Sequence, residues 1–291
     1  MPVSFAGLTI PELSARAYGG GELHVEQVLS ATPAFTRLLI SYLSDGLRIY
    51  GFMDVPTGDG PFPVVIVLHG YVEPAYYDTL TYTTYYADIL ASAGYLVIHP
   101  NFRGYSPSDP GPNLFRIGYA IDVLNLIGIV KENGGKGGAL ASAHPDAIGL
   151  WGHSMGGGIA IRVMTVSRDV KAVVLYNSMS GDEEQNYAFM RAWAGTWEEG
   201  PEDRVPAEDL TRISPIYFLH QMTAAVSIHH GEEDLTPLAW ASDLCNRLRE
   251  LGRPVECFTY PGEEHFFSQE SDSLFIQRCI DFFNRFLRAS Q

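Results

Sequence analysis

From Pro63 onward the chain alternates between short unbroken apolar runs and longer stretches whose apolar positions fall three and four apart. Val64-Val65-Ile66-Val67-Leu68 is the first such run, and similar, mostly apolar runs recur at Tyr95–His99, Ala147–Trp151, Ala172–Tyr176, Ala225–His229 and Val255–Tyr260. A run with no polar alternation suits a strand covered on both faces. Between the runs the helical spacing predicts helices over Tyr85–Ala93, Ile117–Val130, Ser154–Val166, Leu238–Leu251 and Leu274–Leu287, and glycines at 94, 134 and 252 mark ends. Alternating strands and helices predict an α/β fold, with a mostly parallel central sheet, right-handed crossovers and flanking helices on both faces.

Two departures frame this core. Before it, Thr36–Leu43 and Leu47–Val55 read as N-terminal antiparallel strands joined by the hairpin signal Ser44-Asp45-Gly46, whereas residues 1–35 show little regular pattern. Later, residues 178–224 separate two strands by more than a simple crossover requires. Glu183–Ala194 there reads as a helix carrying Tyr187, Phe189, Met190 and Trp193, followed by Trp197 and a loop rich in proline and acid. We read it as a helical, lid-like insertion over the sheet, after the sixth central strand. No linker divides the chain, so residues 1–291 are expected to form a single domain.

Composition narrows the function classes. The chain is 46% hydrophobic and 18% charged, enough apolar content for a substantial core. Its 19 Lys and Arg stand against 34 Asp and Glu, a formal charge of −15. Such a balance argues against nucleic acid as a partner and disfavours polyanionic substrates and anionic membrane surfaces. No apolar run approaches the length of a membrane span, and Met1-Pro2-Val3-Ser4-Phe5 does not begin a signal peptide, so a cytoplasmic location is expected. Cys245, Cys257 and Cys279 have no C-x-x-C spacing. Their odd number argues against a disulfide framework and leaves room for one bridge. Cys245 and Cys279 fall in helical patterns and read as small buried hydrophobes.

The chemistry centres on Gly152-His153-Ser154-Met155-Gly156, set between a strand pattern and a helix pattern. G-x-S-x-G in that setting is a nucleophile elbow, a tight turn that lifts Ser154 above the sheet edge and aims a helix N-terminus at it. A serine hydroxyl needs a base, and the base needs an orienting acid. Two later strands end in loops that supply them: Gly231-Glu232-Glu233-Asp234 and Pro261-Gly262-Glu263-Glu264-His265. Asp234 is preferred over Glu232 and Glu233 because Thr236-Pro237 follows it and starts the next helix. His265 is preferred over the remaining histidines, including His69, His99, His153, His229 and His230, which read as packed or solvent-facing. The backbone N–H groups of Tyr71, after Leu68-His69-Gly70, and of Met155 are placed to form an oxyanion hole. Aromatic residues crowd the first loop and the insertion, and Tyr76, Tyr77, Trp193 and Trp197 are candidate substrate-binding residues. The acidic loops near His265 are expected to repel anionic esters. No metal-binding or phosphate-binding motif is present, and this constellation needs no cofactor.

From about Arg48 to the C-terminus the chain resembles the α/β-hydrolase superfamily. Within it the sequence is most similar to the catalytic domain of the prolyl-oligopeptidase family and its dienelactone-hydrolase-like relatives. The likeness is carried by Asn101-Phe102-Arg103-Gly104, Gly152-His153-Ser154-Met155-Gly156-Gly157, Ile213-Ser214-Pro215-Ile216, His230-Gly231-Glu232-Glu233-Asp234 and Tyr260-Pro261-Gly262-Glu263-Glu264-His265. It implies an α/β-hydrolase fold and a Ser154–Asp234–His265 triad, with Arg103 and Asp122 in structural roles. About 60 residues precede the first central strand, too few for the β-propeller such peptidases carry. His153 and Met155 in the elbow are a combination common in esterases, lipases and cutinases. The expected activity is therefore hydrolysis of a small carboxylic ester through an acyl-enzyme. The alternatives are an aminopeptidase or acyl-peptide hydrolase, then a cutinase or polyester hydrolase, then a binding protein that keeps the fold without catalysis.

Overall fold

The computed structural model describes residues 4–193 and 200–288. Its centre is a nine-stranded sheet in the order β1-β2-β3-β5-β4-β6-β7-β8-β9. The strands are β1 His24–Ala31, β2 Phe35–Ser44, β3 Leu47–Pro56, β4 Phe62–Leu68, β5 Leu96–Pro100, β6 Ala143–His153, β7 Val170–Tyr176, β8 Ala225–Gly231 and β9 Val255–Tyr260. The first three strands and the β3–β5 junction are antiparallel, and β4 through β9 pair in parallel. This is the α/β-hydrolase fold, mostly parallel with antiparallel N-terminal strands.

The core explains the unbroken apolar runs. In β4, Val64, Ile66 and Leu68 belong to one buried cluster and Val65 and Val67 to another, one on each face. Period-two alternation thus persists in the backbone, but both faces are dry. On the first face lie α1 Ile10–Ala15, α3 Ile117–Asn133, α4 Met155–Val166 and α7 Leu238–Glu250. On the second lie α2 Thr84–Ser92 and α8 Gln269–Phe283. The hairpin between β2 and β3 turns through Asp45 and Gly46, both at positive φ (53° and 82°), as a two-residue hairpin turn requires.

Several expectations need correction. The described part of residues 1–35, from residue 4, is not irregular: α1 opens with a capping box between Thr9 and Glu12, and β1 pairs with β2. β1 is exposed at nearly every position, so no buried face wrote an alternation into its sequence. Adding β1 makes the strand before the insertion the seventh, β7. The insertion holds α5 Glu183–Trp193 and α6 Ala207–Ile213. Cys245 is not a free buried hydrophobe, because it is bridged to Cys257 and ties α7 to β9. Cys279 alone is free, and it is buried.

Pairing in parallel brings the C-terminal ends of the strands to one edge. Leu68 of β4 sits beside Gly152 of β6, His153 beside Tyr176 of β7, and Gly231 of β8 beside Tyr260 of β9. The loops that carry Tyr71, Ser154, Asp234 and His265 all leave from that edge. Arg103 and Asp122 form a buried ion pair (Nη2–Oδ1 2.7 Å) that fastens the loop after β5 to α3. Its buried Asp122 carboxyl is pushed up by desolvation, against the pull of Arg103.

Candidate active site

Ser154 lies between the end of β6 and the start of α4 with φ 54° and ψ −118°. A non-glycine residue there is strained by about 1–3 kcal/mol, which the surrounding structure must over-determine. The glycines on either side make the turn possible. A Cβ on Gly152 would come within 2.5 Å of the Gly156 carbonyl oxygen, and one on Gly156 would run into the backbone of Leu68. With β4 and α4 this close, Ser154 has no room to relax.

The two later loops meet beside it. His265 Nδ1 lies 2.7 Å from Asp234 Oδ2. A carboxylate accepts only, so the ring proton sits on Nδ1 and Nε2 keeps its lone pair. The Asp234 side chain is fully buried, whereas Glu232 and Glu233 are exposed. Burial pushes the Asp234 carboxyl up, but hydrogen bonds from His265 and from the N–H and hydroxyl of Thr236 outweigh it and hold its pKa below the usual range. Ser154 and His265 line one cleft of about 350 Å³. The Ser154 hydroxyl makes no hydrogen bond among the described residues. In unliganded hydrolases that contact characteristically tightens when substrate binds.

A second network holds the loops in register. The Gly70 N–H donates to the Tyr82 hydroxyl oxygen at 2.7 Å, and that oxygen lies 2.7 Å from His153 Nδ1. The single phenolic proton therefore goes to His153 Nδ1, which leaves the imidazole proton on Nε2 to donate to the His265 carbonyl at 3.1 Å. Burial lowers the His153 pKa to about 3, so the ring is neutral, as this chain of donors requires. Asn177, at the end of β7, joins the same carbonyl: its Nδ2 donates to the Glu264 and His265 carbonyls, and its Oδ1 accepts from the Gly231 N–H at 2.9 Å. Acid loop and histidine loop are thus fixed to each other and to the elbow.

The hole is expected at the N–H groups of Tyr71 and Met155. Neither N–H has a protein acceptor among the described residues. The Gly70–Tyr71 peptide is clamped from its other side, since His69 Nδ1 donates to the Gly70 carbonyl at 2.7 Å.

The cleft also tests the aromatic expectations. Tyr71 and Trp193 line it and contact edge to face, with centroids 6.5 Å apart. Tyr76 and Tyr77 do not line it. Tyr77 is buried against His69 and Tyr105 with its hydroxyl on Asn101, and Tyr76 is 84% exposed. Their alternating positions in a short turn send one inward to the core and the other outward to solvent. Trp197 lies outside the described residues. Sequence reasoning missed Arg116, Met179, Leu235 and Phe266 as cleft residues. Phe266 carried a signal, being adjacent to the chosen histidine; Arg116 carried none. The acidic loops near His265 place no carboxylate in the cleft wall among the described residues, and the cation there is Arg116.

Three of the other histidines are accounted for by packing. His99 faces Thr83, His229 bridges Ser227 and Tyr260, and His230 bonds the Thr236 carbonyl, all within the buried interior. His24 and His220 are exposed.

A strained serine between strand and helix, at the C-terminal edge of a doubly covered parallel sheet, defines a hydrolase of the α/β class. Residues 65–273 match the model of the alpha/beta hydrolase family, and the chain belongs to that family. It is 24% identical over 241 residues to the uncharacterized peptidase YuxL of Bacillus subtilis (strain 168), covering 77% of this chain but 34% of that protein. The chain thus spans about a third of the length of that relative. It is 23% identical over 255 residues to the uncharacterized peptidase YtmA of the same organism, covering 82% of this chain and 90% of YtmA. Among solved structures it is similar to acetyl xylan esterase 1 from Thermoanaerobacterium sp. JW/SL YS485, with TM-score 0.67, 17% identity and coverage of 97% of this chain and 94% of the other. No helix among the described residues is long and apolar enough to cross a membrane.

Proposed function

We propose that the protein is a serine carboxylic-ester hydrolase that works through an acyl-enzyme. Ser154 attacks the ester carbonyl while His265 Nε2 takes its proton. Asp234 holds the imidazole in the Nδ1–H tautomer and stabilises the imidazolium. The Tyr71 and Met155 N–H groups receive the oxyanion, and each such donor is typically worth about 3 kcal/mol in the transition state. His265 then protonates the leaving alcohol and activates water for deacylation. The observation that carries this reading is the strained Ser154 in one cleft with a His265 whose Nδ1 is already committed to buried Asp234. Residues 178–224 act as a cap, with Phe189, Met190 and Trp193 of α5 supplying one apolar wall.

The peptidase names of the curated relatives favour a second reading, an aminopeptidase or acyl-peptide hydrolase using the same three residues. An aminopeptidase must hold a free α-ammonium, and the cleft wall offers no carboxylate for it among the described residues. That lining supports the ester reading. Turnover of 4-nitrophenyl butyrate, acetylated sugars and feruloyl esters should be compared with that of aminoacyl and acyl-aminoacyl nitroanilides. Ester turnover exceeding amide turnover by orders of magnitude is expected, and comparable amide turnover would transfer the assignment to the peptidases.

A further inference from the structure

Among the described residues the cleft wall is apolar apart from one permanent charge. Around Ser154 it is built from Tyr71, Met155, Met179, Phe189, Trp193 and Phe266, with Arg116 set among them. Arg116 is the residue before α3, and its side chain is 13% exposed. It arrives through two consecutive left-handed residues, Phe115 at φ 47° and Arg116 at φ 60°. Positive φ at both a phenylalanine and an arginine stores strain of about 1–3 kcal/mol apiece.

Among the described residues the charges beneath the wall do not balance. Arg116 Nη2 pairs with Glu183 Oε2, and the same carboxylate takes Nη2 of Arg162 on its other oxygen. Arg162 and Glu183 are almost wholly buried, at 2% and 6% exposure. One carboxylate therefore serves two guanidinium groups, neither of which can deprotonate. Glu202 is a nearby acid, but it accepts the Phe115 N–H at 2.6 Å, and burial pushes its carboxyl up toward the neutral form, against that hydrogen bond and the Arg116 charge. The other amino group of Arg116, Nη1, has only the Met190 thioether sulfur at 3.0 Å among the described residues. A thioether is a weak acceptor for a charged donor. An uncompensated cation facing a low-dielectric cleft is costly unless an anion joins it.

We propose that Arg116 is a specificity-determining residue that receives a carboxylate on the substrate, so that the preferred esters carry an acid group separated from the scissile carbonyl by an apolar spacer. The substrate carboxylate would replace the Met190 sulfur on Nη1, and the spacer would lie against the aromatic and thioether wall. This rests on the ester-hydrolase reading and narrows it. It also opposes the expectation from net charge alone, because a charge of −15 spread over the surface is screened within about 10 Å at 0.1 M salt, whereas Arg116 acts at contact.

The test compares kcat/KM for each anionic ester with that of its neutral methyl-ester counterpart. One series carries the acid on the acyl side, as mono-4-nitrophenyl esters of linear dicarboxylic acids from glutaric to sebacic. The other carries it on the alcohol side, as 4-butyryloxybenzoate. In the wild type, at least one series is expected to favour the anionic member by about tenfold or more, through KM, with the preference shrinking as salt is raised. Arg116→Gln should collapse that ratio at least tenfold, Arg116→Lys should retain part of it, and Glu183→Gln should enlarge it. Labelling of Ser154 by a fluorophosphonate confirms that each variant is folded. A wild type that prefers the neutral member in both series overturns the proposal without any variant, as does a preference that Arg116→Gln leaves intact. If wild type hydrolyses neither neutral nor anionic esters, the ester reading itself fails instead.

Discussion

The imidazole of His153, one residue before Ser154, donates through Nε2 to the main-chain carbonyl of His265 at 3.1 Å, with the two rings 4.6 Å apart. The elbow therefore grips the backbone of His265, which lines the same cleft as its serine. Tyr82 passes the same chain of hydrogen bonds on to Gly70, in the loop of the expected oxyanion hole. Tyr82→Phe leaves the Gly70 N–H and His153 Nδ1 without partners. The expected outcome is a loss of about 1–3 kcal/mol in stability and a fall of roughly tenfold in kcat, with a smaller change in KM. Urea unfolding and steady-state ester kinetics measure both, and unchanged values would show that the network positions nothing.

Asn177 holds the acid loop and the histidine loop together from a left-handed backbone position, φ 44°. Asn177→Gly keeps that backbone accessible and removes only the amide. We expect kcat/KM to drop by about 10–100-fold while Ser154 remains reactive toward fluorophosphonate. Activity within twofold of wild type would assign Asn177 a purely local role.

Acid stability follows from the buried histidines. Burial lowers His69 to about 4 and His153 and His229 to about 3, from 6.5. Below pH 6.5 the unfolded chain binds protons that the folded chain refuses. Stability is therefore fully present above pH 6.5 and falls as the pH drops toward these folded values, by about 1.4 kcal/mol per histidine per pH unit once well below 6.5. The raised carboxyls Asp54 and Asp122 act in the opposite direction. The Tm should fall clearly between pH 7 and pH 5, and a flat profile over that interval would contradict neutral burial.

The Cys245–Cys257 bridge closes a span of 12 residues between α7 and β9. In the chain-entropy picture a loop of that size is worth about 3 kcal/mol. Cys245→Ser, or reduction, should lower the Tm by several degrees and leave ester turnover nearly unchanged, since neither cysteine lines the cleft. A Tm insensitive to reductant would show that the bridge does not form in solution. Bridges of this kind persist in oxidising surroundings, which sets this feature against the cytoplasmic location expected from the N-terminal residues.

The legible parts of the chain were those with a local cause. Val64–Leu68 and its counterparts are apolar on both faces because both faces are covered, and Gly152 and Gly156 are glycines because β4 and α4 leave no space for a Cβ. The loops bearing Asp234 and His265 could be named because each follows a strand of the parallel part of the sheet, β8 buried and β9 at its half-buried edge. β1 was illegible because an exposed edge strand has no face to pattern. The α1 capping box at Thr9 and Glu12 is a local signal that the sequence does carry. Arg116 and the Cys245 bridge were invisible for a different reason. Each depends on which distant segment lies opposite: Glu183 and Met190 for the arginine, β9 for the cysteine.

The most direct test of the central claim is the fate of the acyl group. Wild-type protein mixed with excess 4-nitrophenyl butyrate should release a burst of nitrophenol near one equivalent if deacylation is the slower step, and a fluorophosphonate should leave one covalent adduct on Ser154. Ser154→Ala should form no adduct and lose about four to six orders of magnitude in turnover while keeping its fold. Near-wild-type turnover by Ser154→Ala, or an adduct mapped to any other residue, would contradict the account.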